Sequence, residues 1–216
     1  MLRRLSCLAA FGLVLAFGST SQAAIITNGS FEDGPDPGSF TTLNAVNNSI
    51  PSWTVSGGSV DYIGTYWQAA QGVRSIDMDG NSPATLYQNL NTVSGQEYLV
   101  TFAVAGNPDG PPQVKSLSAT AGNGGTTVLF DVNTLPSTHS NMGWVDYSFN
   151  FTASSASTQL SFFSNDKPDN NPYGPALDNV RVNAVPEPAT LAMSGIAALI
   201  VSGVALRRRK STIAQA

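Results

Sequence analysis

The sequence predicts an all-β domain, a two-sheet antiparallel β-sandwich, between two segments that direct the chain out of the cytoplasm. Residues 24–184 show no long 3.6-residue periodicity, and short runs with a two-residue period alternate there with Gly, Asn, Pro and Ser. These 161 residues are the size of one ordinary domain. Nine or more short strands in one such domain favour two packed sheets, with a jelly roll as the expected topology.

The clearest strand is predicted at residues 143–152, where four apolar side chains share one face and polar side chains the other. This alternation is typical of a half-buried antiparallel strand. Residues 97–105 repeat it, with Tyr98, Val100 and Phe102 predicted to point inward. Shorter runs of the same kind predict further strands at 53–56, 60–63, 74–78, 84–90, 114–121, 126–131, 158–163 and 176–183.

The first 23 residues have the organisation of a signal peptide. Arg3 and Arg4 precede an apolar run at 8–17, and a small-x-small site follows that ends at Ala23. Cleavage after Ala23 would also remove Cys7, the single cysteine of the chain. The mature protein is therefore predicted to contain neither disulfides nor thiolate metal sites.

The last 32 residues, 185–216, have the organisation of a sorting signal. Pro186, Glu187 and Pro188 lead into 18 uncharged residues, 189–206, and four cations follow at 207–210. A helix over 189–206 would be about 27 Å long, enough to span a bilayer. The cations would stay on the cytoplasmic side, which places the upstream domain outside.

This C-terminal arrangement resembles the PEP-CTERM sorting signal of Gram-negative bacteria, with Pro186, Glu187 and Pro188 as its motif. The resemblance implies an exosortase as processing partner and a transient stay in the inner membrane through the C-terminal helix. It also implies a final location in the outer envelope, at the cell surface or in the exopolysaccharide matrix. An ordinary tail anchor is the alternative.

The charge of residues 24–184 argues against one class of partner. Four Lys and Arg stand against 13 Asp and Glu, a formal charge of −9. Nucleic acid is not expected as a partner, because its binding requires a clustered basic surface. Neutral glycans, cations and other surface proteins remain open as partners.

Three motifs within the domain resemble a known family. They are NGSFE at 28–32, GVRSIDMDG at 72–80 and GPALDNV at 174–180. In this order they are similar to the choice-of-anchor C domain, which in turn resembles galactose-binding-like jelly rolls of carbohydrate-binding modules and plant cell-wall proteins. The resemblance implies a fold and little about mechanism, because fold does not fix function.

Enzymatic motifs are not found in the sequence. The single histidine, His139, lies in a polar loop without a nucleophile motif. Paired carboxylates for glycoside hydrolysis remain open. The sequence favours tight turns with positive-φ glycines at 77–80 and 107–110, and it favours solvated strand-face and turn positions for Asp61, Asp77, Asp79, Asp109, Asp131 and Asp146.

One acidic residue is expected to point inward. Asp178 shares a strand face with Val180 and Val182, and a buried carboxylate without a partner is costly. The resemblance to jelly rolls implies that Glu32 and Asp178 hold a structural calcium, with backbone carbonyls near Asn28 as further ligands. The alternative is that Asp178 accepts backbone N–H groups and Glu32 caps a turn.

Three aromatic residues are candidate glycan contacts, because sugar C–H faces stack on aromatic rings. Tyr66 and Trp67 lie beside the polar segment 68–72, and Trp144 is expected on the polar side of its strand. Packing at the core or rim is the alternative.

The expected function is a non-enzymatic exported surface or matrix protein that binds envelope polysaccharide or exopolysaccharide. A structural or adhesive matrix protein with protein partners and a glycan hydrolase are the alternatives.

Overall fold

The computed structural model of the protein describes residues 25–135, 137–167 and 171–186. The predicted signal peptide with Ala23, the motif residues Glu187 and Pro188, the predicted membrane helix and the basic tail lie outside these residues. None of the described residues belongs to a helix long and apolar enough to cross a membrane.

Eleven β-strands form in the described ranges: β1 Phe40–Asn44, β2 Thr54–Ser56, β3 Ser59–Ile63, β4 Ser75–Asp77, β5 Thr85–Asn91, β6 Glu97–Gly106, β7 Val114–Ala121, β8 Gly124–Asp131, β9 Val145–Thr152, β10 Ser157–Ser164 and β11 Pro175–Ala184.

The strands form two antiparallel sheets, and the predicted all-β sandwich is thereby confirmed. One sheet has six strands in the order β1-β3-β4-β11-β6-β9, and the other has five in the order β2-β5-β10-β7-β8. Sequence neighbours are often not sheet neighbours, so the chain crosses repeatedly between the sheets. The jelly-roll topology stays a prediction.

All ten strands predicted from the sequence are present, with ends that shift by up to two residues. Strand β1 was missed, because in FTTLN only Leu43 is buried and the alternation signal is weak. In β9 the predicted alternation is confirmed, since Phe149 and Phe151 are buried while Ser148 and Asn150 are exposed.

The core between the sheets is built from large aromatic side chains. Trp53 lies 5.3 Å from Phe31 and 6.2 Å from Phe162, and Phe102 lies 5.2 Å from Phe162, measured between ring centroids. All four are at most 1% exposed. Complete burial of such a side chain contributes about 1.5–3 kcal/mol, so this cluster joins the sheets firmly.

Candidate ligand-binding cleft

The candidate site lies on the face of the six-stranded sheet that points away from the core. Side chains alternate between the two faces of a strand, and Val60, Tyr62 and Ile76 belong to the core cluster and do not line the cleft. Their neighbours therefore point to the outer face. The register of β1, β3 and β4 arranges these neighbours in two rows, Phe40–Ile63–Ser75 and Thr42–Asp61–Asp77.

Loops cover these two rows and leave a cleft of about 250 Å³. The cover explains why all five residues of β3 are buried although only one face meets the core. Residues from four loops join the strand residues in lining the cleft: Tyr66, Trp67, Gly80, Asn81, Asn107, Asp109, Pro172 and Tyr173.

Asp77 ties three of these loops together. Its Oδ1 accepts hydrogen bonds from the backbone N–H groups of Asp79 (3.0 Å) and Gly174 (3.1 Å), and its Oδ2 accepts one from Asn107 Nδ2 (2.7 Å). Asp77 is 1% exposed, and burial raises the pKa of its carboxyl well above the ordinary value. The expectation of a solvated turn residue is wrong here, because the loops fold over the outer face of β4.

Asp61 is the second buried carboxylate of the cleft, and its expected solvation is also wrong. It is 9% exposed, and burial raises the pKa of its carboxyl while the Thr42 hydroxyl opposes this. Its Oδ1 accepts a hydrogen bond from Thr42 Oγ1 at 2.5 Å. The hydrogen bonds between described residues include none to Oδ2. Asp61 therefore keeps one acceptor oxygen available at the cleft.

A buried charged cluster lies behind the cleft. Asp79 and Lys115 are 0% exposed and Asp166 is 3% exposed. Burial raises the pKa of Asp79 to about 7 and that of Asp166 to about 6. Lys115 Nζ donates to the carbonyls of Gly110 (2.8 Å) and Tyr173, so it holds two walls of the cleft. The expectation that Asp79 is solvated is wrong for the same reason as for Asp77.

The glycines of the two predicted turns, Gly80 and Gly110, are needed for close packing and not for a positive φ. The Asx-type hydrogen bonds are present, because Asp77 Oδ1 accepts from Asp79 and Asn107 Oδ1 accepts from Asp109. Neither Gly80 nor Gly110 has a positive φ. Close approach requires them instead: a Cβ at Gly80 would lie 2.9 Å from Asp61 Oδ1, and one at Gly110 would lie 2.2 Å from Tyr173 Cδ2.

An aromatic corner forms one wall of the cleft. The Tyr66 ring lies 4.5 Å from His139, 5.2 Å from Phe40 and 5.6 Å from Trp67, between ring centroids. The Tyr66 hydroxyl donates to Asp109 Oδ2 (2.8 Å), and this bond, followed by burial, raises the Tyr66 pKa to about 12. His139 Nε2 lies 2.8 Å from Asp109 Oδ1. Phe40 is 44% exposed and offers a free ring at the rim.

Two of the three predicted aromatic contacts line the cleft, and the third does not. Tyr66 and Trp67 both line the cleft, although Trp67 is 5% exposed and donates its Nε1 to Ser75 Oγ at 2.8 Å. Trp144 does not line the cleft. It is half-buried just before β9, and its Nε1 donates to the Gln68 carbonyl at 2.9 Å, which holds the loop that carries Tyr66.

The predicted metal ligands Glu32 and Asp178 do not line the cleft. Both accept hydrogen bonds from the backbone of one loop, residues 70–74. Asp178 Oδ2 accepts hydrogen bonds from the N–H groups of Ala70 (2.8 Å) and Gln71 (2.9 Å). Glu32 Oε1 accepts from Val73 (2.8 Å) and Arg74 (2.9 Å). We call Glu32, Asp178 and the loop 70–74 the loop clamp.

The inward orientation predicted for Asp178 is confirmed, since its side chain is 0% exposed. Burial raises its pKa to about 7, and the backbone N–H groups of Gln71, Asn179 and Ala70 oppose this shift. Asn28 is also engaged, because its carbonyl accepts from Trp53 Nε1 and its side chain bonds the backbone of Asp33.

The fit of this region to calcium is poor. Calcium needs six to eight oxygens, and both oxygens of Asp178 and Oε1 of Glu32 already accept backbone N–H groups. Within the described ranges, no group of three or more His, Cys, Asp or Glu side chains is arranged to hold a metal ion. Calcium at Asn28, Glu32 and Asp178 stays a prediction.

Sequence reasoning missed most of the cleft. It assigned Asp61, Asp77 and Asp109 to solvated strand-face or turn positions, gave Asn107 only a turn role and gave Tyr173 none. One signal was present: Ile63 and Asp61 share a strand face, and an apolar residue on a supposedly solvated face indicates a cover.

Comparison with known proteins gives two family matches. A model described as "Protein of unknown function (DUF642)" matches residues 24–183. The PEP-CTERM protein-sorting motif matches residues 184–210, which confirms the resemblance based on Pro186, Glu187 and Pro188. The resemblance to the choice-of-anchor C domain stays a prediction.

Similar proteins were found in both sequence and structure. Halomucin from Haloquadratum walsbyi is 30% identical over 201 residues that cover 87% of this chain, and the match spans 2% of halomucin. A family 35 carbohydrate-binding module from Clostridium thermocellum is similar with a TM-score of 0.45 and 12% identity, covering 67% of this chain and 99% of the module. A family 16 carbohydrate-binding module-2 has a TM-score of 0.46 and 12% identity, with 74% and 99% covered.

Proposed function

We propose a function for this chain, which belongs to the family described as a protein of unknown function (DUF642), from the chemistry of its cleft. The protein is an exported, non-enzymatic surface or matrix protein that binds polysaccharide of the envelope or the extracellular matrix. Its sorting motif directs processing by an exosortase, and the outer-face cleft holds the sugar.

The observation that supports sugar binding is the combination of side chains around one cavity. Aromatic faces at Phe40 and Tyr66 stand beside the carboxylates of Asp61 and Asp109 and the amide of Asn81. Sugars present C–H faces that stack on aromatic rings and hydroxyl groups that hydrogen-bond to carboxylates and amides. A cavity with apolar walls and a few convergent polar groups is the usual form of a small-molecule site.

The dimensions of the cleft suit a small part of a glycan. Its volume of about 250 Å³ is below the roughly 300–1,000 Å³ of pockets for drug-sized ligands. A terminal sugar or one ring of a chain fits this volume better than an enclosed oligosaccharide. The rest of the polymer would then extend past Phe40 into solvent.

The test is affinity electrophoresis of the purified full-length protein through gels that contain envelope polysaccharides. We expect retardation that Tyr66→Ala reduces about tenfold in affinity, because the substitution removes a stacking ring and the Asp109 bond. Tyr87→Ala is the matched control, since Tyr87 is a half-buried tyrosine on β5 in the other sheet. No retardation by any of these polysaccharides would refute sugar binding.

Hydrolysis is a poorer match to the cleft than binding. Asp61 and Asp77 are paired across β3 and β4, but Asp77 already accepts three hydrogen bonds that hold loops. A catalytic pair needs both carboxylates free to exchange protons or attack the sugar. Release of reducing ends from a bound polysaccharide, lost in Asp61→Asn, would contradict the non-enzymatic proposal.

Sorting rests on the matched motif at residues 184–210. Substitution of Glu187 should leave an unprocessed precursor in the inner membrane, because the apolar segment and the cations still act as a stop-transfer signal. The processed protein should lack residues 189–206. Native extracellular protein that retains residues 189–206, detected by mass spectrometry, would contradict this proposal.

A further inference from the structure

The side chains that line the cleft include several acids. Three aspartates line it, Asp61, Asp77 and Asp109, and none of the described residues that line it is Lys or Arg. Acids that face a cavity without a lining Lys or Arg favour a cationic or hydrogen-bond-donating ligand over an anionic one.

Lys115 and Arg74 hold loops through their hydrogen bonds. Lys115 Nζ donates to the carbonyls of Gly110 and Tyr173, and Arg74 donates to the Gly34 carbonyl and the Tyr62 hydroxyl. Neither can turn toward the cleft without losing these bonds. Asp109 is paired with His139, whereas Asp61 forms no ion pair with another described residue.

Asp61 provides a specific acceptor for that ligand. The residue is 9% exposed, lines the cleft and uses only Oδ1, in its bond from Thr42. Among the described residues no donor bonds Asp61 Oδ2, and a charged donor forms a stronger hydrogen bond to a carboxylate than a hydroxyl does. Tyr66 and Phe40 add aromatic faces, which attract a cation within about 6 Å.

We propose that the cleft selects a sugar with a free, protonated amine, a hexosamine unit of a cationic polysaccharide, over neutral, N-acetylated and acidic sugars. This proposal rests on the proposed sugar-binding function and names its ligand class. The ammonium group pairs with Asp61, while the ring lies against the aromatic corner of Tyr66. Uronic acids and sulfated sugars find no Lys or Arg to pair with among the described lining residues.

The experiment is isothermal titration of the purified full-length protein with three probes of equal length. They are a tetramer of unacetylated β-1,4-linked glucosamine, its fully N-acetylated form and a tetramer of galacturonic acid. We expect the unacetylated tetramer to bind at least tenfold more tightly than the acetylated one at pH 6, and the uronate not to bind. The preference should weaken as salt is raised, since charge pairing is screened.

Two variants assign this preference to the cleft. Asp61→Asn keeps the shape and should reduce the preference for the free amine to about twofold. Asp146→Asn is the matched control, because Asp146 is an exposed aspartate on β9 outside this cleft, and it should keep the full preference. Circular dichroism melting confirms that both variants are folded. If Asp61→Asn does not fold, Asp109→Asn takes its place, with a reduced preference expected.

The outcomes separate this proposal from the proposed function. Equal or tighter binding of the acetylated tetramer would overturn the amine preference and leave sugar binding in place. Binding of the uronate would overturn the preference as well. A preference that persists unchanged in both Asp61→Asn and Asp109→Asn would place the amine away from this cleft and overturn the proposal. Binding of no saccharide, here and in the gel assay, would overturn the proposed function itself.

Discussion

The cleft and the loop clamp both contain buried carboxylates, but these groups are used differently. In the clamp, Asp178 accepts backbone N–H groups with both oxygens, from the loop at Oδ2 and from Asn179 at Oδ1, and Glu32 Oε1 accepts two more from the loop. In the cleft, Asp61 has one hydrogen bond from a described residue, Thr42, and it goes to Oδ1. Burial of an acid alone therefore does not distinguish a structural residue from a binding residue; Asp61 is a binding candidate because it also lines the cleft, and Asp178 does not.

The two regions are nevertheless physically connected. The loop held by the clamp follows directly on Tyr66 and Trp67, and Trp144 holds the same segment through the Gln68 carbonyl. The clamp fixes the position of one cleft wall without contributing to its chemistry. Changes in the clamp should therefore appear mainly in stability, and changes in the cleft mainly in affinity.

The largest expected effect is the dependence of stability on pH. The folded-state pKa values of Asp79 and Asp178 are about 7 and that of Asp166 is about 6, all above the ordinary value of 3.8. The folded state therefore binds more protons than the unfolded state between about pH 4 and 7, and the free energy of unfolding falls as pH rises through this window. Urea unfolding should show a loss of several kcal/mol from pH 5 to pH 8.

Asp79→Asn provides the control for this pH dependence. It removes one titrating group from the buried cluster and should flatten the profile, whereas the exposed Asp146→Asn should leave it unchanged. A wild-type protein more stable at pH 8 than at pH 5 would show that these carboxylates are charged and well paired in the fold.

Asp178→Ala should produce the next largest change. It leaves the N–H groups of Ala70 and Gln71 without their acceptor and opens a cavity, so we expect a loss of roughly 2–4 kcal/mol in the free energy of unfolding. Asp146→Ala should change it by less than about 0.5 kcal/mol. Equal effects of the two substitutions in urea denaturation would mean that the clamp does not stabilise the domain.

Calcium provides a separate test of the clamp. If an ion binds Glu32 and Asp178, stabilisation should reach about 2.7 kcal/mol at a free calcium concentration a hundredfold above the dissociation constant. Asp178→Ala should abolish this response, and magnesium should replace calcium poorly because it requires a smaller octahedral shell. A melting temperature that is the same in chelator and in excess calcium would refute calcium binding.

Alanine substitutions at two glycines distinguish the cost of a steric clash from the cost of a strained backbone conformation. The expected losses of unfolding free energy are smaller than those above. Gly72 and Gly38 both have positive φ, at 71° and 64°. A Cβ at Gly72 would lie 2.2 Å from Glu32 Oε1, and a Cβ at Gly38 would meet nothing within 4 Å. Gly38→Ala should cost about 1 kcal/mol, and Gly72→Ala should cost about 1 kcal/mol more because Glu32 must move. If urea denaturation gives the same loss of unfolding free energy for both substitutions, the Glu32 side chain moves away from the added Cβ without a measurable cost.

The sequence predicted the fold better than the site, for a physical reason. Strand periodicity is local, so ten strands and the inward faces of β6 and β9 followed from alternation alone. Burial of Asp61 and Asp77 depends on loops contributed by residues 30 to 110 positions away, such as Tyr173, and no local pattern encodes that cover. Asp178 was predicted to be buried because its own strand neighbours are apolar. Backbone N–H groups were the alternative partners given for it, but the loop that supplies them was not predicted, because Ala70 and Gln71 are more than 100 residues away.

The most direct test of the central claim is a crystal structure of the protein grown with the glucosamine tetramer. We predict one sugar ring against Tyr66 and Phe40, with its amine within hydrogen-bond distance of the free Asp61 oxygen. A tetramer bound elsewhere, for example in the shallow groove beside Asp146 and Arg181, with the cleft empty, would contradict the claim.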